Sequence, residues 1–170
     1  PRHDILDGTF NPEIFTASIS EVLRFYKDQG TGVHPMYTDA EQFFTEATYP
    51  TDGLKMVLQD VFARLAGDNT VPAIHRLETA FGGGKTHTLI ACTHIGYKGS
   101  ELKPFVSELL PVDHLPETGS VFVVGIAGDE LPVHRPQGTT LVPYTLWGEI
   151  AFQIGGEPLY RDVEEEAASF

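Results

Sequence analysis

Three consecutive glycines followed by lysine and threonine, Gly82-Gly83-Gly84-Lys85-Thr86, are the residues of this chain best suited to chemistry. A glycine-rich loop can turn several backbone N–H groups toward one point without steric penalty, and a helix N-terminus behind it favours anions. Lysine in this position neutralises the β and γ oxygens of a nucleoside triphosphate, and the threonine hydroxyl ligates Mg²⁺. The spacing predicts a site for ATP and Mg²⁺ in which Lys85 and Thr86 are the catalytic residues.

The match to the phosphate-binding loop G-x-x-x-x-G-K-[ST] is incomplete at its first position, where Thr79 replaces glycine. The tighter variant G-x-x-G-x-G-K-T is matched from Gly82 onward. The alternative to a nucleotide site is an ordinary turn between a strand and a helix. The context favours nucleotide binding, because the loop follows an apolar segment and opens an apolar helix, and we expect residues 81–87 to contact the nucleotide. These are Phe81, Gly82, Gly83, Gly84, Lys85, Thr86 and His87. For His87 two roles stay open, approach to the nucleotide or packing against the loop.

The first 70 residues are predicted to be helical. Asn11-Pro12 is an N-cap with proline in the first turn, and an apolar stripe follows it as far as Gly30. Thr38 and Glu41 have capping-box spacing for a short second helix that ends before Pro50. Thr51 is predicted to cap a third helix, which ends at Gly67.

From residue 71 the pattern predicts an α/β fold. Val71–Leu77 and Val121–Ala127 are apolar runs of the kind buried inside parallel sheets. The prediction is therefore a P-loop parallel-sheet core over residues 71–170, preceded by a small helical region over residues 1–70. Short helices and loops are expected over Ser100–Pro116, and a further helix over Thr145–Ile154 closed by Gly155-Gly156.

Composition narrows the classes of function. In 170 residues, 24 acidic against 11 basic side chains give a net charge of −13, which disfavours binding along nucleic acids or anionic membranes. The single cysteine, Cys92, excludes an internal disulfide, and no apolar run reaches the roughly 18 residues of a membrane span. We expect a cytoplasmic protein with no membrane contact and no direct nucleic-acid binding. The start at Pro1 and the stop after an acidic run lead us to expect part of a longer protein.

Other candidates for chemistry have weaker patterns. Asp129-Glu130 follows an apolar run, as the magnesium-holding acid of a P-loop enzyme does, but Gly128 intervenes and an exposed acidic turn is the preferred reading. The seven histidines share no zinc-ligand spacing. Trp147 lies on an amphipathic helix and is read as a core or interface aromatic rather than a functional one.

The block from Arg76 to His87 resembles a family of large bacterial and archaeal P-loop ATPases, assigned to the AAA+ superfamily and labelled a domain of unknown function. Its motif, E-T-x-F-G-G-G-K-T-H, has threonine at the position of Thr79, so the departure at that residue supports the resemblance. Further resemblance covers Ile14-Phe15, Tyr37-Thr38-Asp39, Phe43-Phe44, Thr48-Tyr49-Pro50-Thr51, Gly53-Leu54-Lys55, Thr145-Leu146-Trp147-Gly148-Glu149-Ile150-Ala151 and Gly155-Gly156.

The resemblance implies an ATPase encoded beside a DNA methyltransferase, and sometimes a helicase, in loci like those of restriction or phage defence. It implies that this chain is the N-terminal part of a longer protein, for which an oligomeric state stays open and whose magnesium-binding acid lies beyond Phe170. ATP binding should then survive in this part better than turnover.

Two functions of different class stay open. The first is the ATP-binding part of such an ATPase. The alternative is a non-catalytic interaction module that docks a partner subunit and binds nucleotide only structurally.

Overall fold

The computed structural model describes residues 17–28, 35–78, 84–128, 130–132 and 141–167. The chain divides into two compact units, Pro1–Val121 and Phe122–Phe170, each treated by itself below. The described residues form helices joined by irregular segments. None of these helices is long and apolar enough to cross a membrane.

In the first unit the described helices are short or of moderate length. They are α1 (Ile19–Asp28), α2 (Pro35–Thr38), α3 (Ala40–Gln42), a π-helical turn (Phe43–Ala47), α4 (Asp52–Leu65), α5 (Lys85–Lys98), a 3-10 turn (Gly99–Leu102), α6 (Lys103–Val106) and a second 3-10 turn (Val112–His114). The expected mixture of short helices and loops over residues 100–116 is confirmed. Of the predicted first helix, the start at Asn11-Pro12 and the stop at Gly30 lie outside the described residues. Helix α1 confirms the prediction over Ile19–Asp28, whereas residues 17 and 18 are not helical.

Helix α4 begins and ends where its local sequence predicts. Thr51 has extended backbone angles, and its hydroxyl oxygen accepts a hydrogen bond from the Leu54 N–H at 3.3 Å. After Ala66 the chain leaves the helix at Gly67, whose φ of 105° favours glycine. The predicted cap and stop are both confirmed, because each depends on neighbouring residues alone.

The cap before α3 is Asp39 rather than the predicted Thr38. The Asp39 carboxylate accepts a hydrogen bond from the Gln42 N–H at 3.0 Å. Thr38 is buried as the last residue of α2, so the helix start moves one position along the chain. The π-helical turn then ends at Ala47, with Thr48 as its C-cap, before Pro50 as expected.

The core of the first unit lies between α1, the π-helical turn, α4 and α5. Helix α5, which follows the phosphate-loop motif, contributes Ile90, Ala91 and Ile95 to the same cluster that receives Val22 from α1. The other members are Ala40, Phe43, Phe44, Leu54, Leu58, Phe62, Leu102, Val106, Leu109 and Leu110. One continuous core therefore holds the start of α5 against the helices that precede it in sequence.

The predicted α/β fold is wrong, because no strand or sheet occurs in the part of the chain that the structure describes. An inner strand of a parallel sheet is covered on both faces, yet Ile74 in the first run is 87% exposed and Phe122 in the second is 67% exposed. Both backbone polar groups of Gly125 bond to the Gln153 side-chain amide, at 3.2 and 2.8 Å. The Gln153 side chain thus supplies the hydrogen-bond partners that a neighbouring strand would supply in a sheet.

In the second unit the main element is α7 (Leu146–Ala167), which is interrupted at Gly156. The Thr145 hydroxyl oxygen accepts from the Gly148 N–H at 3.1 Å and starts the helix. Gly156 has φ 65° and ψ −157°, so the predicted closure at Gly155-Gly156 is confirmed. The acidic segment after it is helical, with Arg161 bonded to Glu157 and Glu164.

Candidate functional site

The glycine-to-helix junction of the motif lies at the first turn of α5. Gly84 is the N-cap, with a left-handed φ of 77°, and its carbonyl oxygen accepts from both the N–H and the hydroxyl of Thr88, at 2.9 and 3.0 Å. Lys85 and Thr86 are the first two helical residues. Phe81, Gly82, Gly83 and Thr79 lie outside the described residues. The structure therefore describes the second half of the motif and places it on a helix start.

Electrostatics at this helix start favour an anion. A helix N-terminus carries a partial positive charge, and the first turn of α5 contains no acidic residue to satisfy it. Gly84 offers no side chain to cap the turn. An oxyanion placed here would meet the helix dipole together with the Lys85 ammonium.

A pocket of about 610 Å³ opens beside Gly84 and Lys85. Its volume falls within the roughly 300–1,000 Å³ of small-molecule sites. The lining residues come from the π-helical turn, the start of α4, the segment before the motif and the start of α5. They are Ala47, Tyr49, Thr51, Gly53, Leu54, Met56, Val57, Arg76, Leu77, Glu78, Gly84, Lys85, His87 and Thr88.

The residues that line the pocket carry more positive than negative charge, whereas the whole chain is acidic. Arg76 and Lys85 are cationic and Glu78 is the one carboxylate among the lining residues, although the chain carries a net charge of −13. The Arg76 guanidinium pairs with Glu78 at 2.5 Å on the largely exposed edge of the pocket. Such an exposed ion pair adds little to stability. The Arg76 guanidinium nevertheless lines the same pocket as Lys85.

His87 packs into the protein and also lines the pocket. Its ring stacks on Phe43 with 4.4 Å between ring centroids, and its Nε2 lies 2.9 Å from the Thr48 hydroxyl. The single Thr48 hydroxyl proton is donated to the Phe43 carbonyl at 2.7 Å, so Nε2 carries the proton and donates to Thr48. Burial lowers the pKa of His87, which keeps the ring neutral. His87 therefore ties the first turn of α5 to the π-helical turn.

His94 follows His87 by seven residues on α5, and the two rings lie along the same side of the helix, since both contact Phe43. Nε2 of His94 lies 3.0 Å from the Tyr37 carbonyl, which can only accept, and Nδ1 lies 2.6 Å from the Tyr26 hydroxyl. The ring therefore donates through Nε2 and accepts through Nδ1. The sequence pointed to the half-buried His87 but not to the buried His94, for which the seven-residue spacing was the available signal.

Stability should fall in acid because His94 is buried as a neutral ring. Burial lowers its pKa from 6.5 to about 4; the Tyr37 carbonyl and Asp39 raise it less, and His87 and Lys98 lower it further. Between pH 6.5 and 4 the unfolded chain binds a proton that the folded chain does not, so the free energy of unfolding should drop by about 3 kcal/mol over this range. Above pH 6.5 this contribution is fully present.

Urea unfolding at a series of pH values measures this effect. His94→Gln replaces the imidazole with a side-chain amide, which does not titrate. The free energy of unfolding of this variant should therefore be lower at pH 7 but should change less between pH 6.5 and 4. The carboxylates contribute equally to both proteins and cancel in the comparison. An unchanged pH slope in the variant would contradict the assignment to His94.

Of the site residues that the sequence predicts within the first unit, Thr86 is described but is not one of the residues that line the pocket. Asp129 lies outside the described residues, and Glu130 belongs to the second unit. Trp147 is exposed at the start of α7. Cys92 packs partly buried against the core, and burial raises the pKa of its thiol to about 11, which disfavours the reactive thiolate. Among the described residues, no three His, Cys, Asp or Glu side chains form a group that could hold a metal ion.

Comparison with known families extends the resemblance carried by the motif. A family model, the DUF499 N-terminal domain, matches residues 2–168. The chain belongs to the DUF499 family. The match spans both compact units and confirms the expected membership of a family labelled a domain of unknown function. No curated protein and no solved structure matches the chain.

Proposed function

We propose that this DUF499 domain binds the triphosphate of MgATP at the N-terminus of α5, as the nucleotide-binding part of an AAA+ type ATPase. The observation that carries the proposal is the pocket of about 610 Å³ that opens where Gly84 and Lys85 begin a 14-residue helix. The proposal rests on this helix start and on its pocket.

The residues of the motif have distinct roles in this proposal. Backbone N–H groups of Gly82, Gly83 and Gly84 cradle phosphate oxygens, and Lys85 neutralises the β and γ oxygens. Thr86 is half-buried on the first turn of α5, and its hydroxyl is the oxygen ligand for Mg²⁺. An acid-free first turn and a lining whose Arg76, Lys85 and Glu78 give a net charge of +1 suit a polyanion. When bound, Mg²⁺ screens charge on the phosphates.

The partners of the natural protein follow from the family resemblance. A DNA methyltransferase, or a helicase, of the same locus is the proposed partner, and defence against phage or foreign DNA is the proposed setting. DNA contact is assigned to such a partner or to other regions, because a net charge of −13 disfavours binding along a phosphate backbone.

Titration of MgATP into the 170-residue chain tests the proposal. At 100 times its dissociation constant a ligand stabilises the folded state by about 2.7 kcal/mol. For a domain of this size that corresponds to a rise in melting temperature of about 5 to 10 °C. Differential scanning fluorimetry measures the shift, and Mg²⁺ with AMP is the control, because AMP lacks the β and γ phosphates. Equal melting curves with and without millimolar MgATP would contradict ATP binding and favour the interaction module.

A further inference from the structure

Two large apolar side chains line the pocket yet remain open to solvent. Tyr49 is 80% exposed and Met56 is 60% exposed, and both line the pocket. Ala47, Leu54 and Val57 line the pocket beside them. The pocket therefore has an apolar part and a cationic part, and the cationic part contains Lys85.

The chain holds Tyr49 in place from both sides. Thr48 before it is bonded to His87, and the Thr51 N–H donates to the Tyr49 carbonyl at 2.8 Å in a three-residue turn around Pro50. Proline also restricts the backbone of the residue before it. Met56 is fixed on the second turn of α4, whose N-cap is Thr51. The exposed aromatic ring is thus attached to an ordered backbone, which lowers the entropic cost of binding against it.

We infer that Tyr49 and Met56 form a stacking subsite for the base of the bound nucleotide, an inference that rests on the proposed function. An aromatic face and a polarisable thioether are suited to the flat π-system of a base. The same pocket contains the helix start that would take the phosphates, so one mononucleotide can span both parts. Stacking tolerates different bases because every base has a π-face, and GTP should therefore bind in the same range as ATP.

Calorimetric titrations with MgATP and with magnesium tripolyphosphate separate the two parts of the pocket. Tyr49→Ala should weaken MgATP binding about tenfold or more and leave tripolyphosphate binding unchanged. Tyr49→Phe should bind both ligands as the parent chain does, because it keeps the ring. Met56→Ser is the second variant, expected to act in the same direction as Tyr49→Ala. Ile74→Ala removes an exposed apolar side chain that is not among the lining residues and should change neither affinity.

The outcomes distinguish this inference from the function on which it rests. Equal loss of MgATP and tripolyphosphate binding in Tyr49→Ala, or no loss of either, would overturn the stacking subsite. Lys85→Ala tests the phosphate site, and it should weaken the binding of both MgATP and tripolyphosphate. Unchanged tripolyphosphate binding in Lys85→Ala would instead overturn the proposed phosphate site. Melting temperatures within a few degrees of the parent chain show that each variant is folded.

Discussion

Lys85→Ala is expected to abolish ATP hydrolysis by the natural DUF499 protein and to weaken MgATP binding to this domain. A hydrogen bond to a charged group contributes about 1.5 to 3 kcal/mol, which corresponds to a loss of affinity of about 10- to 150-fold. Turnover should fall further, because loss of one donor that stabilises transition-state charge costs about 100- to 1,000-fold. Calorimetry on the domain and a phosphate-release assay on the natural protein measure the two effects.

Lys98→Ala is the matched control for this substitution. Lys98 lies at the last turn of the same helix, and its exposed ion pair with Glu101 lies at 3.5 Å. The variant therefore makes the same change in net charge at the opposite end of α5, and its affinity for MgATP should stay close to that of the parent chain. Equal affinities of Lys85→Ala and the parent chain, or undiminished turnover, would refute the phosphate site.

Gly99→Ala should destabilise the first unit strongly. Gly99 is buried at the end of α5 with φ 49°, and a Cβ added there would lie 2.2 Å from the Pro116 carbonyl oxygen. That carbonyl cannot withdraw freely, because it accepts from the Ser100 N–H at 2.9 Å. Backbone strain of about 1 to 3 kcal/mol adds to overpacking of similar size, so we expect a loss of about 2 to 6 kcal/mol.

Gly53→Ala is the counterpart of Gly99→Ala. Gly53 lies in the first turn of α4, has no positive φ, and a Cβ added there meets nothing within 4 Å. The same substitution should raise stability by up to about 1 kcal/mol, because alanine is the better helix former. Urea unfolding at pH 7 measures both variants. Similar free energies of unfolding for the two variants would show that the close approach of the Pro116 carbonyl to Gly99 does not require glycine at that position.

Phe43 connects the hydrophobic core of the first unit to the elements that line the pocket. This buried ring contacts His87, His94 and Phe44, and the backbone after it leads through Thr48 to Tyr49. The pocket walls are thus attached to the best-packed part of the first unit. Sites held by packed elements keep their geometry better than sites on loops alone.

Local sequence determined the features that depend on neighbouring residues. Thr51 caps α4 because its hydroxyl reaches the N–H three positions on, and Gly67 and Gly156 end helical segments because their φ values favour glycine. The Gly84-Lys85-Thr86 junction could likewise be placed on a helix start from the motif alone. These features need no knowledge of distant parts of the chain.

Tertiary structure decided what depends on partners far along the chain. An apolar run such as 121–127 indicates burial but does not name a partner, and in the structure the Gln153 amide bonds to Gly125 where a strand was predicted. The pairing of Thr48 with His87 spans 39 positions, and the approach of Tyr49 and Met56 to Lys85 spans a similar distance along the chain. Hydrophobic periodicity shows which face of a helix is buried, but the packing of the helices decides which side chains share a pocket.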